Sequence, residues 1–269
     1  MPCTGSSLAG RAKGNLTHAE SHPAAGALFF SAMDWVRKFQ PVITIIECVT
    51  QYRQTASMEV VRSLMSSWGY LVFEGNFNGC AYGALENRDR MVAICVSKGL
   101  QELGEFNLDQ IKPLRTKPAT LNEVLDTVAE NDPIWTIHEY LESKEVEDKK
   151  NGKGFLRQHY TGEEPHINTI TRGYARIRST DPHIKHPTKS RFTRLLTPIE
   201  HQRVKGLPEG WVQSTGLAAS KAHEVLGQSV VYPVFEAVGA AVGNLISRAA
   251  ARAPGIRYDD NVVLMTAAA

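Results

Sequence analysis

A chain of 269 residues is long enough to bury one large core or two smaller ones. Its 42% hydrophobic and 22% charged residues are those of an ordinary globular protein, which excludes a disordered or fibrous chain. The net charge of +2 alone indicates no polyanionic partner. The four cysteines lack metal-ligand or disulfide-framework spacing, so we expect no metal and a reducing, cytoplasmic location. The start lacks a signal-peptide pattern, and polar residues interrupt the longest apolar stretch, so we expect no membrane span.

The first hundred residues alternate between helix and strand patterns. Residues 24–39 and 58–68 carry apolar side chains at helical spacing. Residues 42–47 form an almost unbroken run of Ile and Val, which is typical of a strand buried on both faces of a parallel sheet. Residues 70–77 and 91–97 are two further strand candidates. This order of elements predicts an α/β domain.

After about residue 105 the periodicity fades. Residues 105–190 hold most of the histidines and a charged stretch at 145–153 that we interpret as a loop, so we expect a loop-rich, mixed β module. Regular signals then return. Thr197, followed three residues later by Glu200, predicts a helix start with a capping box. Residues 231–248 predict the last long helix, and we expect the short tail behind it to be poorly ordered.

Four polar residues stand where chemistry would need them, and each has an ordinary alternative. Cys3, set among small residues, is either a thiolate nucleophile or a free thiol at a frayed terminus, and its string alone favours the free thiol. Glu47 ends an apolar strand, where ligands bind in α/β sheets, or it simply faces water. Arg88 and Arg90 would point the same way on an extended backbone and clamp an anion. Taken alone, an ordinary surface charge pair is the more common explanation for them.

A basic stripe lies between residues 172 and 194. Its cations face the single acid Asp181, a pattern that indicates either a phosphate-binding surface or a solvated face. The seven cations are Arg172, Arg176, Arg178, Lys185, Lys189, Arg191 and Arg194.

Five short strings, taken in order, resemble the motifs of the DNA cytosine-5 methyltransferase family. Each string alone is weak evidence, and their order along the chain carries the resemblance. The strings occupy residues 2–6 (Pro-Cys-Thr-Gly-Ser), 46–49 (Ile-Glu-Cys-Val), 86–90 (Glu-Asn-Arg-Asp-Arg), 194–208 (from Arg-Leu-Leu-Thr-Pro to Gly-Leu-Pro) and 227–234 (Gly-Gln-Ser-Val-Val-Tyr-Pro-Val).

The resemblance implies a fold and a division of the chain. The fold is α/β: a partial Rossmann-like S-adenosylmethionine-dependent methyltransferase domain with a small mixed or β target-recognition module. Residues 1–104 would form the catalytic part and residues 105–193 the target-recognition region. Residues 194–269 would carry the C-terminal motifs and a helix that returns to the catalytic domain.

The resemblance also implies a reaction, which is methyl transfer from S-adenosylmethionine to carbon 5 of a flipped-out cytosine in double-stranded DNA, as in restriction–modification systems. Cys3 would attack carbon 6, Glu47 would bond the ring nitrogen and amino group, and Arg90, assisted by Arg88, would bond the base oxygen. The implied cofactor contacts are Pro2, Leu28, Gln228, Ser229 and Val230. The implied DNA contacts are Ser6, Ser7, Thr169, Arg172, Arg176, Arg178 and Arg203.

The sequence departs from the family pattern in ways that shape the expectation. Cys48 and Gln228 each replace a usual Asn, and Glu86 replaces a usual Gln. The Gly-rich cofactor loop that precedes the nucleophile motif in this family has no equivalent in the sequence. We therefore expect an exposed apolar sheet edge and either a split enzyme, whose cofactor half is a second polypeptide, or a fragment of a longer reading frame. The alternatives are a non-catalytic DNA-binding remnant and an unrelated α/β activity.

Overall fold

The computed structural model describes residues 5–7, 10, 14–152 and 157–253. The helices in these ranges are α1 (Leu28–Phe39), α2 (Ala56–Ser67), α3 (Lys98–Gly104), α4 (Glu139–Lys150), α5 (Pro198–Val204), α6 (Trp211–Ser214), α7 (Ala219–Gln228) and α8 (Tyr232–Arg252). The strands are β1 (Ile43–Cys48), β2 (Tyr70–Asn78), β3 (Glu86–Asn87), β4 (Asp89–Ser97), β5 (Gln158–Tyr160), β6 (Ile167–Asn168), β7 (Pro182–Lys185) and β8 (Thr193–Arg194).

The chain divides into two compact units. Unit 1 comprises residues 1–75, 91–111 and 239–269, and unit 2 comprises residues 76–90 and 112–238. This grouping differs from the three consecutive segments expected from the sequence, because the motifs between 194 and 238 pack with the recognition region. The functional division into 1–104, 105–193 and 194–269 stays a prediction.

Unit 1 is built on a three-stranded sheet in the order β1–β4–β2. The central strand β4 is buried on both faces, since every residue from Met91 to Val96 is 0% exposed. Strand β1 runs antiparallel to β4 at the sheet edge, and its Ile45 is 42% exposed. The prediction that residues 42–47 form a strand buried on both faces of a parallel sheet is therefore wrong. An unbroken apolar run does not encode which strand is central, and here that position belongs to β4.

Helices α1 and α2 cover one face of this sheet. Met33 of α1 and Met58 and Met65 of α2 join the core, because each helix turns one apolar stripe inward. Helix α2 begins at the residue after Thr55, whose hydroxyl accepts a hydrogen bond from the Met58 amide at 3.2 Å. The helix and strand predictions for this part of the chain are confirmed, with shifts of up to four residues at their ends.

Unit 2 contains a sheet in the order β5–β7–β8 and a short parallel pair, β3–β6. Its core contains Tyr174, which is 0% exposed and whose hydroxyl donates to the Pro182 carbonyl and accepts from the Leu196 amide. Trp135, 8% exposed, joins the same core, and the Arg194 guanidinium lies 5.3 Å from its ring centroid. The expected mixed β module is thus present as short strands around a real core.

Helix α4 corrects one prediction in this region. Residues 145–150, interpreted above as part of a charged loop, belong to α4. Ion pairs one turn apart stabilise the helix, Lys144 with Asp148 at 2.7 Å and Lys149 with Glu145 at 2.9 Å. A helix stabilised in this way needs few apolar residues, so apolar periodicity did not reveal it.

The C-terminal helices follow the sequence closely. The capping box at the start of α5 is confirmed, with Thr197 and Glu200 exchanging hydrogen bonds with each other's backbone amides. The last long helix is α8, in which Arg248 donates to the Gly104 carbonyl at 2.8 Å. Within the described residues, no single helix is long and apolar enough to cross a membrane, and only the bent pair α7 and α8 reaches that length together. The tail beyond residue 253 lies outside the described residues.

Candidate functional site

The candidate nucleophile and its neighbour, Cys3 and Pro2, lie outside the residues that the structure describes. Glu47 is half-buried near the end of β1, opposite Val92 of β4. Leu28 opens α1 with 53% of its surface exposed, which suits contact with an apolar ligand face. Their implied roles stay predictions.

Of the two serines expected to contact DNA, Ser6 is placed differently from the expectation. It is 2% exposed, and a buried hydroxyl cannot reach a DNA backbone. Ser7 is half-buried and accepts a hydrogen bond from the Gly10 amide at 3.1 Å. A string of small residues indicates close packing but not which side chain faces out.

Arg88 is buried where three segments of unit 2 meet. Its guanidinium donates to the Ile170 carbonyl at 3.3 Å and to the Gly227 carbonyl at 3.2 Å, and it lies 3.4 Å from a Glu86 oxygen. At 5% exposure this group is directed inward, so the expected outward clamp of two guanidiniums does not form. The geometry favours a positioning role for Arg88. Arg90, half-buried in β4, donates to the Asp89 carbonyl at 2.6 Å, and its contact with a base stays a prediction.

Behind Arg88 lies a fully buried ion pair that the sequence did not reveal. Lys205 Nζ lies 2.7 Å from Glu86 Oε2, and both residues are 0% exposed. Burial opposes the charged form of Glu86, but the charges of Lys205 and Arg88 outweigh it and hold the pKa of Glu86 below its usual value. Burial lowers the pKa of Lys205 to about 8 although Glu86 acts in the opposite direction. The one available signal was Glu86 itself, since an acid in place of an amide calls for a counter-charge.

The arginine segment and the end of the recognition region are joined directly. Strand β3 pairs in parallel with β6, which places Glu86 opposite Ile167. One turn further on, the Thr169 hydroxyl donates to the Asn87 carbonyl at 3.1 Å, and the Ile170 amide donates to Glu86 Oε1 at 2.9 Å. Thr169 is half-buried by this contact, so its side chain has a structural role that was not expected.

Gly227, in the last motif, packs directly on the recognition segment. A Cβ at this position would overlap the backbone of Thr171 and Arg172. Because the same glycine accepts a hydrogen bond from Arg88, helix α7 and the recognition segment are held together from two sides. Only glycine permits this approach.

Gly227→Ala is therefore expected to destabilise the protein by about 1–3 kcal/mol, because backbone atoms cannot move aside as a flexible side chain can. The measurement is the free energy of unfolding in urea. Gly239→Ala is the matched control, since this helical glycine has open space around its Cβ position and alanine favours a helix. Equal stabilities of the two variants would contradict the close approach.

The remaining expected site residues divide into committed and uncommitted groups. Arg203 pairs with Asp126 at 2.6 Å and with Glu209 at 3.0 Å, so its charge is already neutralised and its expected DNA contact is not favoured. Ser229 ends α7, and its hydroxyl donates to the Leu226 carbonyl at 2.8 Å. Exposed or half-exposed side chains are those of Gln228, Val230, Arg172, Arg176 and Arg178.

A pair of buried histidines also lies in this region of unit 2. His201 Nδ1 and His223 Nδ1 are 3.0 Å apart, close enough for a hydrogen bond between neutral rings. Burial lowers the pKa of His223 to about 4, and burial together with the charge of Lys205 lowers the pKa of His201 well below its usual value. Both rings are neutral at neutral pH and pack beside Tyr174. Among the described residues, no group of His, Cys, Asp and Glu side chains is arranged to hold a metal ion.

The fold is that of an α/β methyltransferase. The chain superposes on the Dnmt2 methyltransferase of S. pombe with a TM-score of 0.65 and 15% identity, covering 81% of this chain and 72% of that one. It superposes on the Entamoeba histolytica methyltransferase EhMeth with a TM-score of 0.65 and 16% identity, covering 91% and 75%.

The sequence defines the family more closely. Residues 1–244 match the profile of the C-5 cytosine-specific DNA methylases, and the chain belongs to that family. It is 24% identical over 247 residues to the type II methyltransferase M1.ScrFI of Lactococcus lactis subsp. cremoris, covering 88% of this chain and 59% of that protein. It is 25% identical over 261 residues to the type II methyltransferase M.HhaI of Haemophilus parahaemolyticus, covering 92% and 75%. The chain thus spans 59% of the length of M1.ScrFI.

Proposed function

We propose that this chain carries the nucleophile and the DNA-recognition part of a DNA cytosine-5 methyltransferase. The observation that supports this most strongly is the family match over residues 1–244, together with the docking of the recognition segment onto the arginine motif through β3 and β6. That docking gives the family's motif order a physical meaning, because motifs far apart in sequence meet in unit 2.

The proposed chemistry assigns one task to each motif. The Cys3 thiolate attacks carbon 6 of the flipped cytosine, and the electrons of the carbon 5–carbon 6 double bond then make carbon 5 nucleophilic. Glu47 bonds the ring nitrogen and amino group of the base, and Arg90 bonds its oxygen. After methylation carbon 5 loses its proton, the double bond re-forms and the Cys3 sulfur leaves carbon 6.

S-adenosylmethionine is the proposed cofactor, and when bound it supplies an electrophilic methyl group. The described residues offer it an apolar contact at the head of α1, where Leu28 is 53% and Phe30 57% exposed. An adenine ring would cover part of this apolar surface. Gln228, Ser229 and Val230 stay candidates for further contacts.

The remaining strands and the main cofactor loop are proposed to come from a second polypeptide. Within the described residues, β1 pairs with β4 alone, so its other edge is open. Large apolar side chains are exposed on β1 and nearby on α1, a combination that favours pairing with another chain. The exposed side chains are Val42 (60%), Ile45 (42%), Trp35 (66%) and Phe39 (57%).

The decisive test separates nucleophilic attack from methyl transfer. Attack at carbon 6 activates carbon 5 toward proton exchange without any cofactor, so the chain is expected to release tritium from [5-³H]cytosine in DNA. Cys3→Ser is expected to abolish the release, because a neutral hydroxyl is a much weaker nucleophile than a thiolate. Cys80→Ser, at a half-buried thiol whose pKa is raised by burial, is the matched control and should keep the activity.

Methyl transfer is measured in the same reactions with labelled S-adenosylmethionine, with and without a polypeptide that carries the family's Gly-rich cofactor loop. Transfer that needs this polypeptide supports the split enzyme. DNA binding with neither exchange nor transfer, even with the polypeptide present, would reject the enzyme and leave a non-catalytic DNA-binding protein.

A further inference from the structure

A strongly basic pocket of about 290 Å³ opens on the surface of unit 2, between the recognition segment and helix α7. Its charged lining consists of Arg172, Arg176, Arg178, Lys221 and Glu224. Four cations against one carboxylate leave an excess of three positive charges in one concave surface. A concave wall of one sign concentrates its potential and attracts an anion.

The three arginines of this pocket are available to a ligand. In the parts of the chain that the structure covers, none of their guanidiniums forms an ion pair with a carboxylate. Elsewhere in unit 2 arginines with structural roles are committed, as Arg203 is to Asp126 and Arg191 is to Glu142. Uncommitted guanidiniums that converge on one cavity indicate a binding role more than a stabilising one.

The walls of the pocket are fixed before any ligand arrives. Gly227 holds α7 against the backbone of the recognition segment, as described above. The turn between the arginines is anchored by the fully buried Tyr174, whose hydroxyl makes two hydrogen bonds. The Arg178 guanidinium lies against Gly173, where any Cβ would overlap it. Such preorganisation reduces the entropy lost on binding.

We propose that this pocket binds a phosphodiester group of the DNA backbone, with Ser220 and Lys221 of α7 completing a site begun by the three arginines. The inference rests on the proposed function for the identity of the ligand. It adds a second segment to the DNA contact and assigns the contact to the backbone. Guanidinium groups match the geometry of phosphate oxygens, and phosphate contacts fix the position of DNA without reading its sequence.

The test is the affinity for two DNA duplexes of unrelated sequence, measured by fluorescence anisotropy over a series of salt concentrations. Arg176→Gln and Lys221→Gln are each expected to weaken binding about tenfold at low salt, on both duplexes. Each is also expected to make the slope of log K against log salt less negative by about 1. Lys150→Gln, an exposed cation of α4 outside the pocket, is the matched control and should change neither quantity.

The outcomes distinguish this inference from the proposed function. Wild-type binding that is salt-dependent but insensitive to both pocket variants overturns the pocket and leaves the methyltransferase proposal intact. A loss confined to one duplex would overturn the backbone assignment, because it indicates base contact. Wild-type protein that binds neither duplex at low salt would overturn the pocket and the DNA-directed function together.

Discussion

Glu86→Gln is expected to lower the free energy of unfolding by about 3–5 kcal/mol, although it restores the residue that is usual in the family. In the wild-type protein the Glu86 carboxylate lies between the Lys205 ammonium and the Arg88 guanidinium. The buried cluster then has one excess positive charge, and the substitution raises this excess to two. Neither cation can turn to solvent, since Lys205 is 0% and Arg88 5% exposed.

Adding Lys205→Gln to Glu86→Gln is expected to recover most of this loss. The double variant has the same excess charge as the wild-type cluster, and the two amides can share a neutral hydrogen bond. The measurement is urea unfolding of the wild type, both single variants and the double variant, with the exposed Glu147→Gln as control. Failure of the double variant to regain stability would show that shape, and not charge, decides this site.

The loss in Glu86→Gln should also depend on pH. Burial already lowers the pKa of Lys205 to about 8, and removal of the carboxylate lowers it further. The folded variant therefore sheds this proton at a lower pH than the folded wild type, while both unfolded chains keep it. A depressed pKa in the folded state makes stability rise with pH, so the deficit should be larger at pH 6 than at pH 8.

Glu200→Ala is the second substitution with a large expected effect, again about 3–5 kcal/mol of lost stability. Glu200 is 0% exposed, and its two oxygens lie 2.6 and 2.8 Å from the Arg194 guanidinium. The same oxygens accept from the Asp126 and Thr197 amides, so one carboxylate neutralises a buried cation and caps α5. Its removal strands Arg194, which is 2% exposed, in the core.

A surface pair of the same type is the control for this prediction. Arg191 and Glu142 also lie 2.7 Å apart, but their side chains are 57% and 29% exposed. Water and salt screen such a pair, so Glu142→Ala is expected to cost less than about 1 kcal/mol. Similar losses for Glu142→Ala and Glu200→Ala in urea unfolding would contradict the role given to burial.

The sequence predicts those features of the fold that depend on local pattern. The helices α1 and α2, the strands of unit 1 and the capping box of α5 all follow from periodicity or from a side chain that bonds a nearby backbone amide. The family also follows from the sequence, because its motifs are short and ordered along the chain.

The features that the sequence did not predict depend on contacts between distant residues. The pairing of Glu86 with Lys205 joins positions 119 residues apart, and nothing local marks Lys205 as buried. The position of β1 at the sheet edge depends on which other strands are present. The inward direction of Arg88 depends on carbonyls that the recognition segment and α7 supply. Local pattern constrains none of these choices.

The burial of Trp135 gives unit 2 an optical signal of its own. Of the four tryptophans, Trp35 and Trp211 are 66% and 51% exposed, so their indoles already emit from a hydrated environment. Trp68 is partly buried in the core of unit 1. Trp135 emits from an apolar shell beneath the Arg194 guanidinium, and opening of the unit 2 core would both hydrate its ring and remove the charge above it. The blue edge of the intrinsic fluorescence therefore carries information on this core without any added label.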